Sequence, residues 1–207
     1  MRETVYKGKR RIIIDPGEYY VTTDDEYIST LLGSCVAACL WDPINHVVGM
    51  NHFLLANKRY SHNTAVIASE AGRYGINAME LLINAMLHKG AKKHNIRAKA
   101  FGGGNVIKNS ITGDNFFAVG EVNSRFISEF LINEHIPMES SHLGGDSGRL
   151  IHFDASDFSV YMKRIEISAD QKIISEERRL YREQLNEHDR EEHDKVKPGE
   201  AGSIQYW

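Results

Sequence analysis

Two short apolar runs, Val36–Trp41 and Val47–Leu55, flank the turn-rich tetrapeptide Asp42-Pro43-Ile44-Asn45. This is the pattern of a β-hairpin, and it constrains the fold more than any other stretch. A slip of one residue in its pairing turns every side chain of a strand to the opposite face. Cys35 stands at the head of the first run, behind Gly33-Ser34, and His52 lies seventeen residues later in the second. With Trp41 and His46 taken as the residues that flank a four-residue loop, Cys35 falls directly opposite His52. Their Cβ atoms are then expected on one face, about 4.5–5.5 Å apart.

A thiol beside an imidazole has a chemical meaning. The thiolate is the nucleophile, and an ordinary cysteine with a pKa of about 8.5 is mostly protonated at neutral pH. An imidazole within reach takes that proton and later returns it to a leaving amine. Backbone amides at the Gly33-Ser34-Cys35 turn are placed to meet the oxyanion of a tetrahedral intermediate. The competing reading makes Cys35 a small buried hydrophobe and His52 an ordinary strand histidine, since cysteine is among the most buried residue types.

The remaining pattern describes an α+β chain. Arg11–Ile14 and Glu18–Thr22 read as strands around Pro16-Gly17, and Asn57–Thr64 reads as a loop. Ala68–Lys89 carries Tyr74, Ala78, Leu81, Leu82 and Ala85 at helical spacing, with a second apolar stripe through Ile76, Met79, Ile83 and Met86. Asn115–Asn133 reads as a second helix, and Ala98–Phe101, Ile136–Met138, Arg149–Phe153 and Phe158–Ile167 as strands. Few strands are spaced as βαβ units, which favours α+β over a doubly wound sheet.

Several function classes drop out. A net charge of −3 leaves no electrostatic footprint for nucleic acid. No apolar stretch approaches the ~18 residues of a membrane span, and no signal-peptide pattern opens the chain. The two cysteines, Cys35 and Cys39, share one five-residue window, so there is no disulfide framework. A cytoplasmic location is the expectation. Cys35, Cys39, His46 and His52 do not have the spacing of a zinc finger, and no cofactor or metal is expected. Gly102-Gly103-Gly104 lacks the lysine and hydroxyl of a phosphate loop and reads as a tight turn where backbone meets backbone. The loop His142–Arg149 reads either as a structural loop or, through His142 and Asp146, as a substrate contact. From Asp170 to Lys195 charges of both signs recur at helical spacing, and a flexible linker then leads to Ile204-Gln205-Tyr206-Trp207, an aromatic tip able to dock.

The segments LGSCVAACLWDP and GMNHFLL, followed by Tyr74–Ala91, Ala98–Ile107 and Ile136–Ile165, resemble the CheD family of bacterial chemoreceptor glutamine deamidases. The resemblance runs from about Val5 to Ile167. It implies a layered α/β/β/α sandwich; the change of composition beyond it sets a catalytic domain over 1–168 and a charged helix and tail over 169–207. It implies a cysteine amidohydrolase, a protein-glutamine glutaminase, that converts receptor glutamine side chains to glutamate through a thioester. The same chemistry extends to glutamate methyl esters. Cys35 matches the family nucleophile and His52 its base. A third family position, six residues before the cysteine, is usually threonine; it is Ser29 here, with Thr30 next to it. The implied partners are the cytoplasmic helices of methyl-accepting chemoreceptors and a chemotaxis phosphatase of the CheC type. The alternative is a non-catalytic module that binds receptor or phosphatase.

Overall fold

The computed structural model describes residues 1–55, 65–105 and 119–165, together with the single positions Ser175, Arg179 and Glu183. Its strands are β1 (Arg2–Tyr6), β2 (Lys9–Ile13), β3 (Tyr19–Thr22), β4 (Tyr27–Leu32), β5 (Val36–Asp42), β6 (Val47–Asn51), β7 (Arg97–Gly102), β8 (Met138–Leu143), β9 (Gly148–Asp154) and β10 (Val160–Ile165). Helix α1 spans Glu70–His88 and α2 spans Val119–Asn133. Ser69 caps α1, its side chain accepting from the Gly72 amide at 3.1 Å. β1, β4 and most of β8 were not anticipated. RETVY and MESSHL are polar and largely exposed, so neither carries the alternation of a half-buried strand. The expected loop over 57–64, the start of the second helix at 115–118, the boundary at 168–169 and the linker and aromatic tip lie outside the described residues. So does most of the charged C-terminal stretch; of it, Ser175, Arg179 and Glu183 are described, and they are helical.

The strands form two mixed sheets of five. One has the order β1-β2-β4-β9-β10, the other β3-β6-β5-β7-β8. Only β2–β4 and β7–β8 pair in parallel among the described ladders. The sheets stack face to face, and α1 and α2 pack on the outer side of the second. The α+β class is as expected. Among the described residues, these two helices form the outer layer over the second sheet.

β5 explains why its sequence has no period. All seven of its residues are buried. Val36, Ala38 and Leu40 face the helices, among Met79, Leu82, Met86, Phe126 and Phe130. Cys35, Ala37, Cys39 and Trp41 face the first sheet, among Ile12, Ile28, Ile151 and Phe153. A strand covered on both faces reads as one continuous apolar run. The two helices approach closely at Gly75, where an added Cβ would lie 2.4 Å from the Phe126 ring. That ring in turn meets Phe53 edge to face, with centroids 5.6 Å apart. Thus α2 is seated directly over the strand segment that follows His52.

Candidate active site

The hairpin forms as expected, but its register is shifted by two residues. Cys39 pairs with Met50, Trp41 with Val48 and Asp42 with Val47, and Val36 bridges Phe53. The cause is Asp42. Its carboxylate accepts the amides of Ile44 (2.8 Å) and Asn45 (3.0 Å), the Asn45 side chain (2.7 Å) and the Lys92 amide (2.8 Å). Burial alone raises the Asp42 carboxyl, but these donors outweigh it and hold the group well below the usual carboxylate range. Asp42 therefore ends the strand, the loop becomes Pro43–His46, and His46 takes a positive φ of 50°. A shift of two keeps the side-chain parity. By that register His52 lies across from Ala37, on the same face as Cys35 and diagonal to it. Such diagonal neighbours lie about 7–8 Å apart between Cα atoms, within reach of long side chains. Direct opposition of Cys35 and His52 is thereby corrected to a diagonal pairing.

β4 supplies the hydroxyl, and here the assignment moves by one residue. Ser29 and Thr30 are neighbours on a strand, so they point to opposite faces. Thr30 points between the sheets. Its Oγ1 donates to the Ile14 carbonyl at 2.7 Å and lies 2.8 Å from His52 Nδ1. A threonine hydroxyl has a single proton. With that proton on Ile14, the Thr30 oxygen accepts from His52 Nδ1–H, which makes Nε2 the basic nitrogen of the neutral ring. Ser29 points to the other face of the first sheet, where its Oγ lies 2.7 Å from Nδ1 of a different histidine, His152. Ser29 does not touch His52; Thr30 occupies the place expected for it.

The three residues are buried: Cys35 is 0%, His52 1% and Thr30 1% exposed. The backbone around them is tied down. The amide of His52 donates to the Glu18 carbonyl at 2.9 Å, and the His52 carbonyl accepts from Gly17 at 2.8 Å. Gly103 donates to the Cys35 carbonyl at 2.7 Å and Gly104 to the Gly33 carbonyl at 2.8 Å. The glycine run thus does what a backbone-to-backbone turn does. A Cβ at Gly102, whose φ is +121°, would sit 2.1 Å from the Cys35 carbonyl oxygen. Asn123 on α2 donates to the Ser34 carbonyl at 2.9 Å and accepts from the Leu55 amide at 2.8 Å. Asn51 ties β6 to β5, accepting from the Ala38 amide at 3.0 Å. Neither asparagine was singled out in the sequence. The signal for Asn123 was present: it is a polar residue on the stripe of Val119, Val122, Phe126 and Phe130.

Two further expectations resolve on packing grounds. Cys39 lies wholly buried in the inter-sheet core, and burial pushes its thiol far above the ordinary range, with Lys99 opposing weakly. A thiol so held stays protonated. His142 is bonded into its loop: Arg149 Nε donates to His142 Nδ1 at 2.8 Å, and Arg149 also reaches the carbonyls of Ser147 and Gly144. Burial, then Arg149 and Arg164, press His142 below its ordinary pKa. These bonds tie His142 into its loop.

Beside His52 a cleft of about 170 Å³ opens between the lead into β3 and the first turns of α1, walled in part by Glu18, Tyr19, Tyr74, Asn77 and Leu81. Cys35 is not part of its wall. Among the described residues no group of three or more His, Cys, Asp or Glu is placed to hold a metal ion, and no described helix is long and apolar enough to cross a membrane.

A thiol, an imidazole with its basic nitrogen defined by a hydroxyl, and a fixed turn around the thiol are the groups that cysteine hydrolases use. The chain belongs to the CheD family. It matches the family described as "CheD chemotactic sensory transduction" over residues 54–164. It is 49% identical over 189 residues to "Probable chemoreceptor glutamine deamidase CheD 1" of Geobacter sulfurreducens, covering 91% of this chain and 94% of the relative. It is 47% identical over 169 residues to "Probable chemoreceptor glutamine deamidase CheD 2" of Shewanella oneidensis, covering 80% and 82%. The family match begins two residues after His52, so it is independent of the Cys35–His52 pair. The Geobacter alignment leaves only 18 of the 207 residues outside it, and so takes in the hairpin as well.

Proposed function

We propose that this protein is a chemoreceptor glutamine deamidase in which Cys35 is the nucleophile, His52 the general acid–base and Thr30 the group that orients His52. The observation that carries the reading is the Thr30–His52 bond: with Nδ1 engaged by the hydroxyl, Nε2 is the basic nitrogen of a buried imidazole whose register puts it on the same face as Cys35. The family and the names of the curated relatives supply the substrate class.

The chemistry follows from those groups. His52 Nε2 takes the Cys35 proton, and the thiolate attacks the side-chain carbonyl of a receptor glutamine. The tetrahedral anion forms beside the Gly33–Cys35 turn, whose carbonyls are each held by a donor. His52 returns its proton to the departing nitrogen, ammonia leaves, and a thioester joins Cys35 to the substrate. Water, deprotonated by His52, attacks the thioester, and the thiol leaves with the proton from His52. The products are glutamate, ammonia and free enzyme. A glutamate methyl ester enters the same thioester with methanol as the leaving group.

The receptor's cytoplasmic helices are the substrate in this reading, a chemotaxis phosphatase of the CheC type is a second partner, and the protein works in the cytoplasm. We place the catalytic unit at 1–168, because every strand and both buried clusters described end by Ile165. The test is incubation of the full chain with a receptor cytoplasmic fragment, read by peptide mass spectrometry. Amide-to-acid conversion at defined glutamines supports the reading. A fragment that binds but keeps every glutamine amide favours the non-catalytic module.

A further inference from the structure

We infer that Asn123 is a positioning residue for the reacting pair, holding the thiol-bearing and imidazole-bearing segments in one frame from a third element. The inference rests on the reading of Cys35 and His52 given above. Asn123 is 0% exposed, on the apolar stripe of α2. A buried carboxamide is costly unless both its ends are satisfied, and here both are. Its Nδ2 donates to the Ser34 carbonyl at 2.9 Å, and its Oδ1 accepts from the Leu55 amide at 2.8 Å.

Both targets are adjacent to the chemistry. The Ser34 carbonyl belongs to the peptide that enters Cys35. Because that peptide is planar and trans, fixing the carbonyl fixes the whole plane and the point from which the thiol projects. Leu55 lies three residues beyond His52, and the intervening Phe53 is already paired with Val36, the residue after Cys35. One side chain thus bridges the entry to the nucleophile and the exit from the base. The anchor does not give way: Phe126, the next residue of the stripe, is packed against Gly75 and Phe53, and Gly120 abuts the Gly103 carbonyl. A carboxamide offers a donor and an acceptor side by side at every pH; an ionised carboxylate loses the donor, and an apolar side chain loses both.

The test uses Asn123→Ala and Asn123→Asp in the full chain, with folding checked by circular dichroism at each pH. Two readouts are taken: steady-state deamidation of a receptor fragment, and alkylation of Cys35 by iodoacetamide, located by peptide mass and needing no receptor. In folded Asn123→Ala, kcat is expected to fall about 10–100-fold with KM within twofold, the mark of misplaced reacting groups. Cys35 alkylation is expected to slow, and its pH dependence to move to higher pH. Asn123→Asp adds a signature that a purely structural role lacks. Burial raises its carboxyl pKa, so on going from about pH 8 to about pH 6 the side chain becomes a donor again. Its kcat relative to the parent is expected to recover over that range.

Parent-like kcat and alkylation in a folded variant overturn the inference, as does a change confined to KM. If both variants fail to fold at every pH, Asn123 belongs to the fold alone and the inference is overturned. If the parent itself deamidates no receptor, the functional reading fails, and slowed alkylation in the variants still shows Asn123 positioning Cys35.

Discussion

β4 carries two hydroxyl–imidazole pairs one residue apart, and they have different fates. Thr30 meets His52 between the sheets; Ser29 meets His152 on the opposite face. The bond lengths are nearly equal, at 2.8 and 2.7 Å. The surroundings differ. His52 shares its face with Cys35 and stands beside the cleft. His152 lies directly across the ladder from Ser29, stacked under Tyr6 at 4.4 Å between ring centroids. Burial, then Arg11 and Lys7, hold its pKa below the ordinary value, so it stays neutral in a packed, cation-flanked position. A hydroxyl–histidine pair is therefore no active site in itself. The thiol on the same face and the proton direction fixed by Ile14 set the inner pair apart, and the proposed catalytic role rests on them.

The sharpest way to break that contrast is to remove the thiol. Cys35→Ala is expected to reduce deamidation to background while the protein stays folded, with a modest loss of thermal stability from the small cavity in the same buried cluster. Cys39→Ala is expected to keep most activity and to lose stability through the small cavity it leaves in the core. Peptide mass spectrometry and a melting curve on each variant check both. Equal losses of activity would remove the distinction between the two cysteines.

Next in size is Thr30→Val, which keeps the shape and deletes the hydroxyl. It leaves the Ile14 carbonyl and the His52 Nδ1–H without their bridge, at a cost of about 1–3 kcal/mol in stability. The ring is then free to turn or change tautomer, and kcat is expected to fall by about 10²-fold. Ser29→Ala makes the same deletion on the outer face. Its expected loss is about 1 kcal/mol in stability, with kcat within twofold of the parent. Denaturant melts and initial rates, run side by side, read both quantities.

The smallest effect is in pH. His152 has a folded pKa below the ordinary 6.5, so the unfolded chain binds the proton more tightly. Its contribution is complete above the unfolded value and is lost as pH falls through the folded one. His142 is shifted in the same direction. The melting temperature is expected to drop on acidification below about pH 6.5, and His152→Gln is expected to remove part of that slope. An unchanged slope would show that His152 is not neutral in the folded state.

The hairpin, the first helix and the face shared by Cys35 and His52 were legible, because apolar runs, helical periods and turn residues are local signals. The register was not, because it is set by Asp42, whose carboxylate is satisfied partly by the distant Lys92 amide. The choice between Ser29 and Thr30 was not legible either. YISTLL is buried along nearly its whole length in the middle of a sheet, so no alternation marks which residue points inward. The parity became visible only through its partners, Ile12 against Ile28 and Ile151 against Thr30. Asn123 had a local signal, a polar residue on an apolar stripe, but its targets Ser34 and Leu55 lie far away in sequence.

The most direct test sets the two histidines against each other. His52→Gln and His152→Gln are made in the full chain, shown to be folded, and compared for conversion of receptor glutamine to glutamate by mass spectrometry. The account predicts a loss of about 10²–10⁴-fold for His52→Gln, and a rate within twofold of the parent for His152→Gln. Equal losses, or a larger loss for His152→Gln, would contradict the assignment of the inner pair as the catalytic one.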